Sequence, residues 1–157
     1  MTKYRLVMLL FLLGQYAVAQ KVPAQLPKLS GIHRIDDPKI LLESSFPRDG
    51  KIMLVFYDPG CGHCQELGAG VARQADKLGN IAVFFITMND KEYVEGYINM
   101  FAKGLRGRKN ISFWKDPGVE FIEKFHPTDY PATYIYDAST RKLVKSFQGE
   151  SNIGKIL

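Results

Sequence analysis

Cysteine and histidine are both scarce in this chain. The 157 residues hold two cysteines, Cys61 and Cys64, and three histidines. A scaffold stapled by several disulfides is therefore excluded. A four-ligand zinc site is poorly served too, because no third thiol exists and His33 and His126 lie far from the cysteine pair in sequence. Neither sign of charge dominates, with 21 Lys and Arg against 16 Asp and Glu. A balance of that kind makes no case for nucleic acid as a partner. No internal repeat or low-complexity tract occurs. The unbroken apolar run Leu6 to Leu13 falls well short of the ~20 residues a transmembrane helix needs.

What is present begins at the N-terminus. Lys3 and Arg5 precede the apolar run, and Ala17-Val18-Ala19 follows it. Residues 1–19 therefore read as a secretory signal peptide, with cleavage expected between Ala19 and Gln20. The competing reading is an uncleaved anchor. No cysteine follows the run, which excludes a lipid-modified N-terminal cysteine. The mature chain is expected in an exported, periplasmic setting, where disulfides form and persist. Cleavage leaves 19 basic and 16 acidic side chains, a net charge of +3. Gln20 to Asp37 carries Pro23 and Pro27 without apolar periodicity and reads as an extended linker. Residues 38–157 then form one domain long enough to bury a core.

The two cysteines sit in Cys61-Gly62-His63-Cys64. An apolar stretch, Lys51 to Tyr57, precedes them and predicts a strand. Leu67, Val71, Ala75 and Leu78 follow at helical spacing. A Cys-x-x-Cys between a strand and a helix suits redox chemistry. It places the first thiol at a helix N-terminus, where free N–H groups and the helix dipole favour the reactive thiolate. A structural disulfide is the alternative, but so short a loop stabilises by only about 2 kcal/mol.

Further elements follow from pattern. Asp37-Pro38 before Ile40, Leu41 and Leu42 predicts a short helix capped by Asp37. Ile81 to Met88 predicts a buried strand, and Tyr93, Val94, Tyr97, Ile98, Phe101 and Leu105 a helix over about 90–105, with Tyr93, Tyr97 and Phe101 in the core. Ile111 to Trp114 reads as a short strand. A helix opens at Asp116-Pro117 with Val119, Ile122 and Phe125 inward. Ala132 to Tyr136 and Lys142 to Phe147 form a hairpin, and a last helix starts at Gly154. The order implies an α/β fold, a mixed central sheet with helices on both faces.

Cys-Gly-His-Cys after the first strand, with Tyr130-Pro131-Ala132-Thr133 before the hairpin, resembles the thioredoxin superfamily. The resemblance covers roughly residues 38–157, and the signal peptide and added helix resemble its exported TlpA and ResA type. The tetrapeptide is similar to that of protein disulfide isomerases. The resemblance implies a thioredoxin fold, with Cys61 as attacking and Cys64 as resolving cysteine. It also implies a cis Pro131 beside the dithiol and a Tyr130 backbone that pairs with an extended client. Gly62, His63 and Glu66 are candidates for tuning the site. A protonated His63 stabilises the Cys61 thiolate, which favours an oxidant.

Three positions depart from the family pattern. Val55 stands where many thioredoxins bury an Asp, Gly60 where Trp is common, and Ala69, between Gly68 and Gly70, where a proline often kinks the helix. The expected activity is an exported thiol-disulfide oxidoreductase that reduces or isomerises protein disulfides. It implies protein thiol and disulfide clients, a membrane or periplasmic electron-donor protein, a monomer, no metal, and no cofactor beyond the Cys61–Cys64 dithiol. A Cu(I)-binding chaperone using Cys61, His63 and Cys64 is the alternative, and an interaction domain without redox work is a third.

Overall fold

The computed structural model describes residues 21–157. The signal peptide read over 1–19 and its cleavage point lie outside the described residues. Six strands form one sheet in the order β1-β4-β3-β2-β5-β6. They are β1 His33–Arg34, β2 Lys51–Phe56, β3 Ile81–Thr87, β4 Ile111–Lys115, β5 Ala132–Asp137 and β6 Leu143–Gln148. The helices are α1 Gly62–Arg73, α2 Lys91–Phe101, α3 Glu120–Phe125 and α4 Ile153–Ile156. β2, β3 and β4 run parallel, while β1, β5 and β6 pair antiparallel. The mixed sheet expected from the element order is the one observed. Among the described residues no helix is long and apolar enough to cross a membrane.

Alternation along β2 divides the core into two layers. Met53 and Val55 face α1, α2 and α4, packing with Leu67, Val71, Val94, Ile98 and Ile153. Ile52, Leu54 and Phe56 face the other way, against Phe121, Phe125, Tyr134 and Tyr136. Helices thus cover both faces. α1 ends as its sequence demands, with a 3-10 turn Ala75–Lys77 and then Gly79 at φ 58°.

The segment read as a linker belongs to the domain. It is extended, but the backbone N–H of Leu26 donates to Arg141 O, and Leu143 N–H donates to Ala24 O. These bonds lay the segment along the free edge of β6. Farther on, Leu29 and Ile32 are wholly buried in the second core layer, and β1 pairs with β4. The reason is composition. α3 has only two turns, so it cannot cover that face of the sheet alone.

Two helix readings are corrected. No helix forms at Asp37-Pro38. The Asp37 carboxylate instead accepts the N–H of Lys39 in a turn, and a 3-10 turn follows at Glu43–Ser45. Side chain to backbone bonding of this kind competes with helix. α3 starts at Glu120, not at Pro117, because the buried Asp116 carboxylate accepts from Gly118 and Phe121 N–H groups. Phe121 and Phe125 therefore point inward, and Val119 is exposed. Similarly, Tyr97 is buried on α2 whereas Tyr93 is 53% exposed.

Candidate active site

The dithiol sits at the carboxyl end of β2. Tyr57 still belongs to the sheet, donating to Ile86 O at 3.0 Å. The chain then turns through Asp58-Pro59-Gly60. An Asp58 carboxylate oxygen accepts the Gly60 N–H at 2.7 Å, and the Asp58 carbonyl accepts the Cys61 N–H at 3.1 Å. This closed turn delivers Cys61 to the N-cap position of α1, with φ −79° and ψ 125°. No side chain caps the helix there, so the first-turn N–H groups remain available to a thiolate. Gln65 braces the turn by donating from Nε2 to Pro59 O at 3.0 Å.

Cys61 is half-buried and Cys64 is 1% exposed, both as free thiols. Burial pushes the Cys64 thiol well above its ordinary 9.0; the Asp58 backbone amide works against that, and Cys61 adds to it. Above pH 9 the unfolded chain sheds a proton that the fold retains, so stability is lost as pH rises. Tyr57 and Tyr97, both raised from 10.0 by burial first of all, act in the same direction. The melting temperature is expected to fall above about pH 9, and to fall less in Cys64→Ala. At pH 7 to 8 iodoacetamide should alkylate Cys61 alone, with Cys64 labelled only after denaturation. Mass spectrometry reads the outcome.

Sheet register brings the second component to the dithiol. Phe56 on β2 pairs with Ala132 on β5, so the residues just before β5 lie beside those just after β2. The Tyr130–Pro131 bond is cis. The Tyr130 carbonyl oxygen lies 4.0 Å from Cys61 Sγ. The Tyr130 ring packs against Phe56 at 5.4 Å, and part of it stays exposed. Gly149, at φ 69°, donates to Pro131 O, and a Cβ there would press on Asp129 at 2.8 Å.

The tuning candidates are placed unequally. His63 and Gly62 are exposed on the first turn of α1, and a Cβ at Gly62 would meet nothing within 4 Å. Glu66 is drawn away from the thiols; its carboxylate accepts from Ser151 Oγ at 2.7 Å and ties α1 to the segment before α4. The fully buried Val55 stands opposite Thr133, whose hydroxyl is buried without a partner. Gly60 is covered at the rim of the site. The Tyr93 hydroxyl, reaching over from α2, lies 2.8 Å from where its Cβ would be. Among the described residues no three His, Cys, Asp or Glu side chains gather as a metal site.

Sequence reasoning missed three participants. Asp58 was legible as the first residue of an Asp-Pro-Gly turn. Tyr93 carried no signal of its own. The third is Tyr97, whose hydroxyl donates to the Cys64 carbonyl at 3.0 Å. Gly68 makes that bond possible, since a Cβ at Gly68 would lie 2.0 Å from the Tyr97 oxygen. Gly68→Ala is expected to lose about 2 kcal/mol, overpacking and the broken buried bond outweighing the gain in helix propensity. Adding Tyr97→Phe should restore part of it. Urea denaturation measures both, and an unchanged midpoint for Gly68→Ala would contradict the packing.

No family model matches the sequence, and no curated protein matches it. Solved structures do match. DsbF of MTB aligns over 87% of this chain and 94% of its own, with 18% identity and a TM-score of 0.66. A secreted Mycobacterium tuberculosis disulfide oxidoreductase homologous to DsbE aligns over 74% and 80%, with 15% identity and a TM-score of 0.57. A putative protein disulfide isomerase from Bacteroides thetaiotaomicron aligns over 88% and 86%, with 17% identity and a TM-score of 0.61. The chain has the thioredoxin-like fold these proteins share.

Proposed function

We propose that this protein is an exported thiol-disulfide oxidoreductase that acts on protein disulfides through Cys61 and Cys64. One observation carries the reading. A half-buried thiol at an uncapped helix N-terminus lies 4.0 Å from the Tyr130 carbonyl, with a wholly buried second thiol three residues on. The likeness to a secreted disulfide oxidoreductase and to a putative disulfide isomerase supports both the chemistry and the export.

The Cys61 thiolate attacks a client disulfide. A Cys61–client disulfide forms, and one client sulfur leaves as a thiolate that takes a proton. Cys64 then attacks Cys61 Sγ, releasing the second client sulfur and leaving the Cys61–Cys64 disulfide. The reverse sequence oxidises a client dithiol, and the reduction potential relative to the compartment sets the direction. Reduction or isomerisation is the reading carried by the TlpA and ResA resemblance. Tyr130 and Pro131 hold the client beside Cys61, and the part of the Tyr130 ring left exposed adds an apolar contact. Clients are proteins with accessible disulfides, and a membrane or periplasmic donor returns electrons to the dithiol. The protein is read as a monomer that works without a cofactor. Insulin reduction by dithiothreitol tests this. The protein should accelerate chain precipitation at catalytic ratios, and a rate equal to that without protein would reject the activity.

A further inference from the structure

Two apolar side chains of α2 stay in water. Val94, Tyr97 and Ile98 turn inward, as the helical spacing requires. Tyr93 and Met100 do not, and Met100, at 72%, is the most exposed large apolar side chain among the described residues. Gly96 lies between them, on the same stripe of the helix. This stripe faces the turn that carries Cys61 across a narrow groove. Pro59, Gly60 and Gln65 form the far wall, and the buried Tyr97 lies beneath. Tyr93 closes one end by setting its hydroxyl over Gly60. Gly96 differs from Gly68, which the Tyr97 hydroxyl requires. No atom lies within 4 Å of where a Gly96 Cβ would be, so packing does not demand glycine there. Glycine weakens a helix, and what it gives at this position is space in the groove.

Size and position say what fits. The groove holds about 140 Å³, close to the volume of a cavity that takes one benzene molecule. Sites for cofactors and drug-sized ligands begin at roughly 300 Å³. One side chain therefore fits, and a cofactor does not. Pro59 and Gly60 immediately precede Cys61, and consecutive Cα atoms lie about 3.8 Å apart. A protein joined to Cys61 Sγ thus brings the neighbours of its own cysteine to the mouth of the groove. Tyr130, packed on Phe56, borders Cys61 from the second core layer, and the groove borders it from the first. The walls are apolar at Pro59, the Tyr93 ring and Met100, and a thioether adapts its shape to varied partners. Two carboxylates stand at the rim. Glu92 lines it from α2, and an Asp58 oxygen lies 3.1 Å from the Gly60 Cβ position. They favour a cation beside the apolar side chain and oppose an anion.

We infer that the groove between the Cys61 turn and α2 is a subsite for one apolar side chain of a client protein, next to the client's attacked cysteine. This deepens the disulfide-exchange reading and rests on it. The subsite adds no chemical step. Gly96 keeps the slot open, Tyr93 and Met100 wall it, and together they choose among clients. A cysteine flanked by leucine, methionine or phenylalanine, with a lysine or arginine close by, is attacked in preference to one flanked by small or acidic residues. The choice is made as the first bond to Cys61 forms.

Two synthetic peptides test this. Each is a symmetrical disulfide dimer whose chains carry a cysteine and a lysine. In one the cysteine lies between leucines, in the other between serines. Reduced protein is mixed with an excess of either, quenched with acid and followed by mass spectrometry as its thiols disappear. Each rate is divided by that of dithiothreitol on the same peptide, which removes the peptides' own difference in reactivity. The wild-type protein should prefer the leucine peptide by about tenfold, the return for half-burying one leucine side chain. Gly96→Leu fills the groove from α2 and should bring the two rates close to equality. Met100→Ser removes the outer wall and should weaken the preference, at a position exposed enough to leave the fold intact. Equal wild-type rates would overturn the subsite alone, and so would a preference that both variants keep. If the wild-type protein reacts with neither peptide, the disulfide-exchange reading fails and the subsite falls with it.

Discussion

Cys61→Ala should reduce insulin reduction to the uncatalysed background, and Cys64→Ala should accumulate mixed disulfides with client proteins. The two outcomes differ because the thiols differ. Cys61 stands half-buried at the helix N-terminus beside the Tyr130 carbonyl, whereas Cys64 lies in the core layer with Leu67 and Tyr97. On the proposed reading only Cys61 meets a client sulfur. Removing it removes the first bond to form, and nothing else on α1 replaces a thiolate nucleophile. Removing Cys64 leaves that bond intact and deletes the group that breaks it. Non-reducing gels after acid quench and alkylation read both results. Equal trapping by the two variants would reject the assignment.

Ile32→Ala should destabilise the protein by about 2–5 kcal/mol, the range for truncating a buried aliphatic side chain to alanine. Ile32 is fully buried among Leu29, Leu42, Phe84 and Trp114. The loss should appear as a lower urea midpoint with an unchanged slope. A midpoint within error of wild type would mean that the segment before residue 38 is a linker after all, and that the second core layer closes without it.

That segment shows where sequence reading reached its limit. Leu29 and Ile32 sit in a stretch with two prolines and no periodicity, and burial there comes from tertiary need on the α3 side of the sheet. No local pattern carries that information. The elements that did emerge, β2, α1, β3, α2 and the β5–β6 hairpin, have long apolar runs or clear spacing. Asp37 and Asp116 show a second limit. Each stands before a proline and reads as a helix cap, but each spends its carboxylate on a turn, and only Asp116 also reaches a helix N–H, that of Phe121.

At the site the cysteine pair was visible because strand, motif and helix adjoin in sequence. The nearness of Pro131 to the dithiol came from resemblance, and the Phe56–Ala132 register gives the physical reason for it. By spacing alone Tyr93 and Tyr97 read alike as core. A four-residue spacing sets them on neighbouring turns, yet one covers Gly60 at the rim and the other reaches through the gap at Gly68. The glycine at 68, costly in a helix by about 1 kcal/mol against alanine, was the available signal for that close approach.

The most direct test of the account is a redox titration of Cys61 and Cys64 in glutathione buffers, read by alkylation with a mass-shifting maleimide. Both thiols should disappear together in one reversible transition that fits a two-electron couple, with a tenfold change in the equilibrium constant for each 29.6 mV or so. Two independent one-thiol transitions, or thiols that remain labelled in fully oxidising buffer, would contradict it.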